Sequence, residues 1–240
     1  SRPMDERGDR PGQTNSLTAA LKGILFDFDG TLADTMAGHY LAWKSALGEY
    51  GIPIEVDDYY PLEGAGLHEV ARKFAKGSTW TEAAIGELVR KKKKYYVDRQ
   101  PMTFFPGVEL LISELKDRKV PIAIVTAGHL DQLRLSVPQR FLEQFDALIT
   151  GDLFVRGKPD PEPYLRGAAR LGLAPEECVA VENSPLGVQS ARRANIYCIA
   201  ICSTVGRDDL IGADEILERF EDIRNSIKIG QILGTKLRHA

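Results

Sequence analysis

Apolar residues gather in short, nearly unbroken runs at residues 22–28, 120–126, 147–150, 179–182 and 196–201. Many are β-branched, and they do not alternate with polar residues. Such runs suit strands buried on both faces, which usually means parallel strands. Between them, VELLISELKDRK and DPEPYLRGAARLGL show the three- and four-residue apolar spacing of helices. SPLGVQSARRAN opens on Pro185, a favoured first-turn position. Strand and helix in alternation predict an α/β fold, a doubly wound and mostly parallel sheet.

One interval breaks the alternation. Residues 36–102 hold no convincing strand but three helical stretches, MAGHYLAWKSALGEYG, LHEVARKFAKG and WTEAAIGELVRKKKKYYVDRQ. They predict a helical insertion joined to an α/β core made of residues 21–35 and 103–240, with joints near residues 33–35 and 103–107. Residues 1–20 begin as a polar, Gly- and Pro-containing stretch without the apolar segment of a signal peptide, and read as a tail.

Composition adds limits. The chain has 240 residues, 43% of them hydrophobic, enough for a sizeable core. A net charge of −3 does not suggest a nucleic-acid or anionic-membrane partner. No apolar run approaches the ~20 residues of a membrane span. The three cysteines include no C-x-x-C pair, so a reducing, cytoplasmic setting is expected.

The candidate chemistry lies at strand ends. The first run delivers Asp27 and Asp29 and stops at Gly30, in ILFDFDGTLADT. A hairpin turn is the plain reading of Asp-Gly, but the following LADTMAGHYLAW does not alternate as a second strand would. A calcium loop beginning at Asp27 needs Gly at its sixth position and Glu at its twelfth, where Leu32 and Gly38 stand. In doubly wound sheets ligands bind beyond the carboxyl ends of strands. Two neighbouring carboxylates there call for a cation or a shared proton. Both conditions suit phosphoryl transfer: Mg²⁺ favours oxygen donors, one Asp attacks phosphorus, and the other moves protons. Gly30 permits a sharp turn that brings the next amides toward the phosphate.

The motif DFDGTLADT resembles the first motif of the haloacid dehalogenase superfamily, mostly Mg²⁺-dependent phosphatases. Three further stretches match in order. AIVTAG ends at Thr126, which in the family holds phosphate oxygens with its neighbours, here Ala127. RGKPDPEPY supplies Lys158, the family's lysine, which neutralises Asp27 and the phosphate. VAVENSPLG supplies Glu182 and Asn183, where the family usually presents two acids that complete the metal site. The resemblance therefore implies a catalytic set of Asp27, Asp29, Thr126 and Lys158, and a Mg²⁺ site of Asp27, Asp29, Glu182 and Asn183. Asn183 departs from the pattern, and weaker metal binding is expected. Read singly, Lys158 would be a surface residue, Thr126 ordinary strand-end chemistry and Asn183 a cap.

The insertion falls where many of these enzymes carry a helical cap that closes over the site. DTMAGHYLAW is similar to the β-phosphoglucomutase branch, which places a His and a Trp at His39 and Trp43. His39 would orient Asp29 or substrate; helix packing is its other reading, and the expected one for Trp43. A mutase must hold a second phosphate, yet Leu67 stands where that branch has a basic residue, and Glu63 where a lysine would help. Hydrolysis of a small sugar or polyol phosphate is expected, with a phosphosugar mutase as the alternative and a non-catalytic phospho-ligand binder as the third reading. Lys91 to Lys94 read mostly as a solvated helix face. A monomer or weak homo-oligomer is expected.

Overall fold

A computed structural model describes residues 19–99 and 101–235. The predicted tail lies outside them except for Ala19 and Ala20. Six strands form one sheet: β1 (Gly23–Phe26), β2 (Ile122–Val125), β3 (Ala147–Ile149), β4 (Cys178–Glu182), β5 (Tyr197–Ile201) and β6 (Glu215–Leu217). Their order is β3-β2-β1-β4-β5-β6, and every neighbouring pair is parallel. The order reverses between β1 and β4, so a crevice opens at the carboxyl ends of those two strands.

The helices are α1 (Met36–Gly48), α2 (Val56–Tyr59), α3 (Leu67–Phe74), α4 (Glu82–Val97), α5 (Val108–Asp117), α6 (Leu130–Ser136), α7 (Gln139–Leu142), α8 (Glu162–Arg170), α9 (Pro185–Arg193) and α10 (Ile227–Leu233). Alternate strand residues feed opposite faces of the sheet. Ile24 and Phe26 pack with α5, α7 and α10; Leu25 packs with α8 and α9. That two-sided burial explains why the runs are continuous rather than alternating.

The helices α1 to α4 bury a third cluster of their own, with Met36, Tyr40, Trp43 and Leu47 of α1 against Val70 of α3 and Ile85, Leu88 and Val89 of α4. Trp43 is buried in this cluster, as packing predicts. The two chain segments leading into and out of these helices lie side by side: Ala33 bridges to Phe104, and the amides of Asp34 and Phe105 donate to the carbonyls of Thr103 and Leu32 at 2.9 and 3.0 Å.

The strand β6 was not predicted. It has three residues at the sheet edge, each only partly buried, and so it lacks an apolar run. The short helices α6, α7 and α10 were also missed; each has seven residues or fewer, too few turns for a clear periodicity.

Candidate active site

Asp27 follows the last residue of β1, and its amide still donates to Val181 of β4 at 2.9 Å. The sheet ladder therefore sets where its carboxylate lies. Lys158, from the segment between β3 and α8, is 1% exposed, and its Nζ donates to Asp27 Oδ1 at 2.8 Å, Glu182 Oε1 at 2.6 Å and the Val125 carbonyl at 3.0 Å. One ammonium thus ties together the ends of β1, β2 and β4. The Lys158–Pro159 peptide bond is cis. Burial pushes the Lys158 pKa down, but the carboxylates of Asp27 and Glu182 outweigh it and hold the amine protonated. Burial and the Glu182 carboxylate push Asp27 up to about 7, against the pull of Lys158.

Glu182 ends β4. Its Oε1 also accepts from the Tyr164 hydroxyl at 2.7 Å, and its Oε2 from the Asn183 amide at 3.1 Å. The next turn starts α9, where Ser184 caps by accepting from the Gly187 amide at 3.0 Å. A Cβ at Gly187 would lie 2.0 Å from the Glu182 carboxyl carbon, so only glycine fits. Thr126 follows β2, is buried, and accepts from the Gly128 amide at 3.2 Å.

Asn183 and Asp27 converge on a residue the sequence reading left unused. The Thr31 hydroxyl lies 3.0 Å from Asp27 Oδ2 and 2.9 Å from Asn183 Oδ1. One hydroxyl carries one proton, so it donates to one of these oxygens at a time. The other end of the Asn183 amide, Nδ2, donates to Glu63 Oε1 and to Thr204 Oγ1, and Thr204 donates to Glu63 Oε2 at 2.9 Å. Glu63 is 4% exposed. Burial pushes its carboxyl well up, the Asn183 bond opposes, and the Asp27 charge adds to the rise. Thr204 sits just beyond β5, in a loop with no motif to mark it.

Asp29 faces the helices. Its Oδ1 is 2.7 Å from His39 Nε2 of α1 and accepts from the Thr35 hydroxyl at 2.7 Å. His39 Nδ1 is 2.7 Å from Lys92 Nζ of α4, and the imidazole stacks on Tyr96 with centroids 4.0 Å apart. An ionised Asp29 makes Nε2 the donor, which leaves Nδ1 to accept from Lys92. Burial pushes Asp29 up, but His39, Thr35 and Lys92 outweigh it and hold the carboxyl at about 2. Burial pulls Lys92 down to about 7, against the Asp29 charge. It also lowers His39, with Lys92 adding to the effect. The solvated-face reading of the lysine run therefore fails at Lys92, which is 1% exposed, and holds for Lys94, whose side chain is 72% exposed. A signal was present: Lys92 continues the buried stripe Ile85, Leu88, Val89 and Tyr96 of α4.

Asp27, Asp29, Thr126, Ala127, His39, Glu63, Leu67 and Lys92 line one cavity of about 40 Å³. Gly30 has φ +81°, and a Cβ there would come within 2.2 Å of Asn183 Nδ2. A wider cleft of about 580 Å³ shares Leu67 and Ala127 and adds His68, Arg72, His129 and Arg156. Of the four expected metal-binding residues, Asp27 and Asn183 turn oxygens to a common point. Asp29 turns its side chain to His39, and Glu182 turns its own to Lys158. Among the described residues, no group of three or more His, Cys, Asp or Glu is arranged to hold a metal ion unaided. The donor set still fits a hard cation. Asp27, Glu63 and Glu182 are three buried carboxyls, and Lys158 pairs with only Asp27 and Glu182, so the site is rich in oxygen and short of positive charge.

Residues 24–201 match the model of the haloacid dehalogenase-like hydrolases. The chain belongs to this family. It is 34% identical to hexitol phosphatase A of Escherichia coli over 203 residues, covering 84% of this chain and 93% of that one. It is 26% identical to a β-phosphoglucomutase of Bacillus subtilis, over 85% and 92% of the two chains. A putative β-phosphoglucomutase from Bacteroides vulgatus superposes with a TM-score of 0.78 at 26% identity, over 92% and 93%. The parallel six-stranded sheet is that family's α/β fold, as the sequence motifs implied. The named relatives support phosphoric monoester hydrolysis as the class of reaction.

Proposed function

We propose that the protein is a Mg²⁺-dependent phosphatase that hydrolyses a small sugar or polyol phosphate through an aspartyl-phosphate on Asp27. The observation that carries this reading is the placement of Asp27 against Lys158 at the carboxyl edge, with Asp27 and Asp29 lining one small cavity. The likeness to a hexitol phosphatase supports the substrate class. A carboxylate oxygen of Asp27 bonds to phosphorus as the ester oxygen leaves, and Asp29 gives that oxygen a proton. Water then attacks the same phosphorus, returns a proton to Asp29, and frees Asp27 and inorganic phosphate. Thr126 and Ala127 hold phosphate oxygens, and Lys158 offsets the charge on Asp27 and on the phosphoryl group. Asp27 and Asn183 would hold Mg²⁺, with water and substrate oxygens completing its set; Glu182 and Asp29 lie close by and contribute charge. Bound there, the ion would neutralise charge on the transferring group.

Residues 36–102 act in this reading as a cap over a core built from residues 21–35 and 103–235. A cavity of about 40 Å³ barely exceeds the share of liquid volume of one water, about 30 Å³. A sugar phosphate therefore enters only when the cap moves, and the paired segments around Ala33 and Phe104 are its hinge. That movement also frees Asp29 from His39 and Lys92, which lets its carboxyl return toward the ordinary range where it can carry a proton. A mutase reading draws on the β-phosphoglucomutase relatives. Against it, Glu63 and Leu67 occupy the cavity wall where a second phosphate would need cations. Among the described residues no helix is long and apolar enough to cross a membrane. Three free thiols favour a reducing, cytoplasmic setting.

Phosphate release from a panel of sugar and polyol phosphates, with and without EDTA and beside Asp27→Asn, tests the proposal. EDTA-sensitive release abolished by Asp27→Asn is expected. Conversion of β-glucose 1-phosphate to glucose 6-phosphate without release would replace it with the mutase.

A further inference from the structure

We infer that Glu63 of the cap is a positioning residue for Asn183, orienting its amide oxygen toward Asp27, so that cation binding and cap closure reinforce one another. The inference rests on the phosphatase reading only for the cation's place at Asp27 and Asn183.

An asparagine side chain can sit either way round, and its neighbours decide. Here Oδ1 faces Thr31 and the Asp27 carboxylate, while Nδ2 faces Glu63 and Thr204. Reversed, the amide would turn N–H donors toward Asp27, where a cation needs an oxygen. Glu63 Oε1 accepts from Nδ2, so the contact selects the useful orientation. Thr204 secures it by donating to Glu63 Oε2 while accepting from Nδ2. A hydrogen bond from Nδ2 to a carboxylate also draws electron density onto Oδ1 and makes it a better donor to a cation.

The two departures from the expected pattern explain each other. An acid at position 183 would have no N–H to donate to Glu63, and the two carboxyls could meet only by sharing a proton. A neutral amide allows the cap acid to dock. Gly30 completes the fit: a Cβ there would lie 2.2 Å from Asn183 Nδ2 and 2.7 Å from Glu63 Oε1. Glu63 lies between α2 and α3, in the helical unit, whereas Asn183 and Thr204 follow β4 and β5. The contact exists only when cap and core meet. Linkage then requires that whatever the contact adds to cation affinity, the cation returns to cap closure.

Mn²⁺ binding to the full chain, followed by the loss of free-ion EPR signal, tests this, with hydrogen exchange at residues 60–67 reporting cap contact. Glu63→Gln should weaken Mn²⁺ by about tenfold or more. Adding Asn183→Asp to it should restore affinity, because a carboxylate presents an oxygen whichever way it sits. In the wild type Mn²⁺ should slow exchange at residues 60–67; in the double variant it should bind without doing so. Wild-type affinity in Glu63→Gln, or exchange indifferent to Mn²⁺ in the wild type, would overturn the inference, as would a wild type that binds no Mn²⁺. If Glu63→Gln does not fold, Asn183→Asp alone decides: cation-free exchange at residues 60–67 must quicken, and unchanged exchange refutes the pairing. Failure to release phosphate from any ester, with these Mn²⁺ results intact, would sink the phosphatase reading and leave the pairing standing.

Discussion

Lys158 at the sheet edge and Lys92 in the cap are both 1% exposed, yet their surroundings differ in kind. Lys158 touches two carboxylates, Asp27 at 2.8 Å and Glu182 at 2.6 Å, and stays charged. Lys92 touches an imidazole at 2.7 Å and lies near the Trp43 and Tyr96 rings, and burial pulls it down to about 7. Burial costs both lysines the same kind of hydration. Only the edge repays it with direct ion pairs. The Lys158 ion pairs are therefore made by the core alone. The cap holds its cation at a cost to stability, which suits a group kept for what it does to His39 and Asp29.

Four changes probe this contrast, in falling order of effect. Asp27→Asn should abolish phosphate release, by on the order of 10⁴-fold or more, because the proposed mechanism runs through a covalent bond to Asp27. Its melting temperature should not fall, since one carboxyl leaves an acid-rich site. Lys158→Met should cost about 3–5 kcal/mol of stability in urea titrations, because it leaves Asp27 and Glu182 buried without their cation. Equal stability of Lys158→Met and wild type would erase the contrast between the two lysines.

Lys92→Met should do the opposite, raising the urea midpoint while lowering turnover. The sign follows from proton uptake. The Lys92 amine holds its proton up to about 10.5 when unfolded but only to about 7 when folded. Between those values the unfolded chain binds more protons, so stability rises with pH. The gain from Lys92→Met is then full below about pH 7 and fades by about pH 10.5. A midpoint difference that does not vary with pH would show that Lys92 is not the titrating group. The smallest effect concerns the helix that carries Lys92. Thr81 caps α4 by accepting from the Ala84 amide at 3.1 Å. Thr81→Ala should cost about 1 kcal/mol of stability and leave turnover unchanged.

The edge was legible in the sequence because each of its groups ends an apolar run. Asp27, Thr126 and Glu182 with Asn183 follow β1, β2 and β4, and parallel neighbours bring such ends together. Lys158 was legible only in their company, through its Pro-Asp-Pro neighbours. The cap contacts were less so. His39 stood out beside Trp43, but Lys92 was hidden in a run of four lysines, where one position in the helical stripe decides burial. Glu63 was read as an obstacle to a second phosphate. Its bond to Asn183 joins residues 120 positions apart and has no local signature.

The sequence by itself determined five of the six strands, the α/β class, the helical stretches of residues 36–102 and the acids at the edge, because each depends on local pattern and on which side of a strand a residue falls. The tertiary structure alone decided which way the Asn183 amide faces, where Glu63 rests, and which lysine of the run meets His39. Those outcomes depend on how one helical unit seats on the sheet, and a shift of a single ångström there makes or breaks a hydrogen bond.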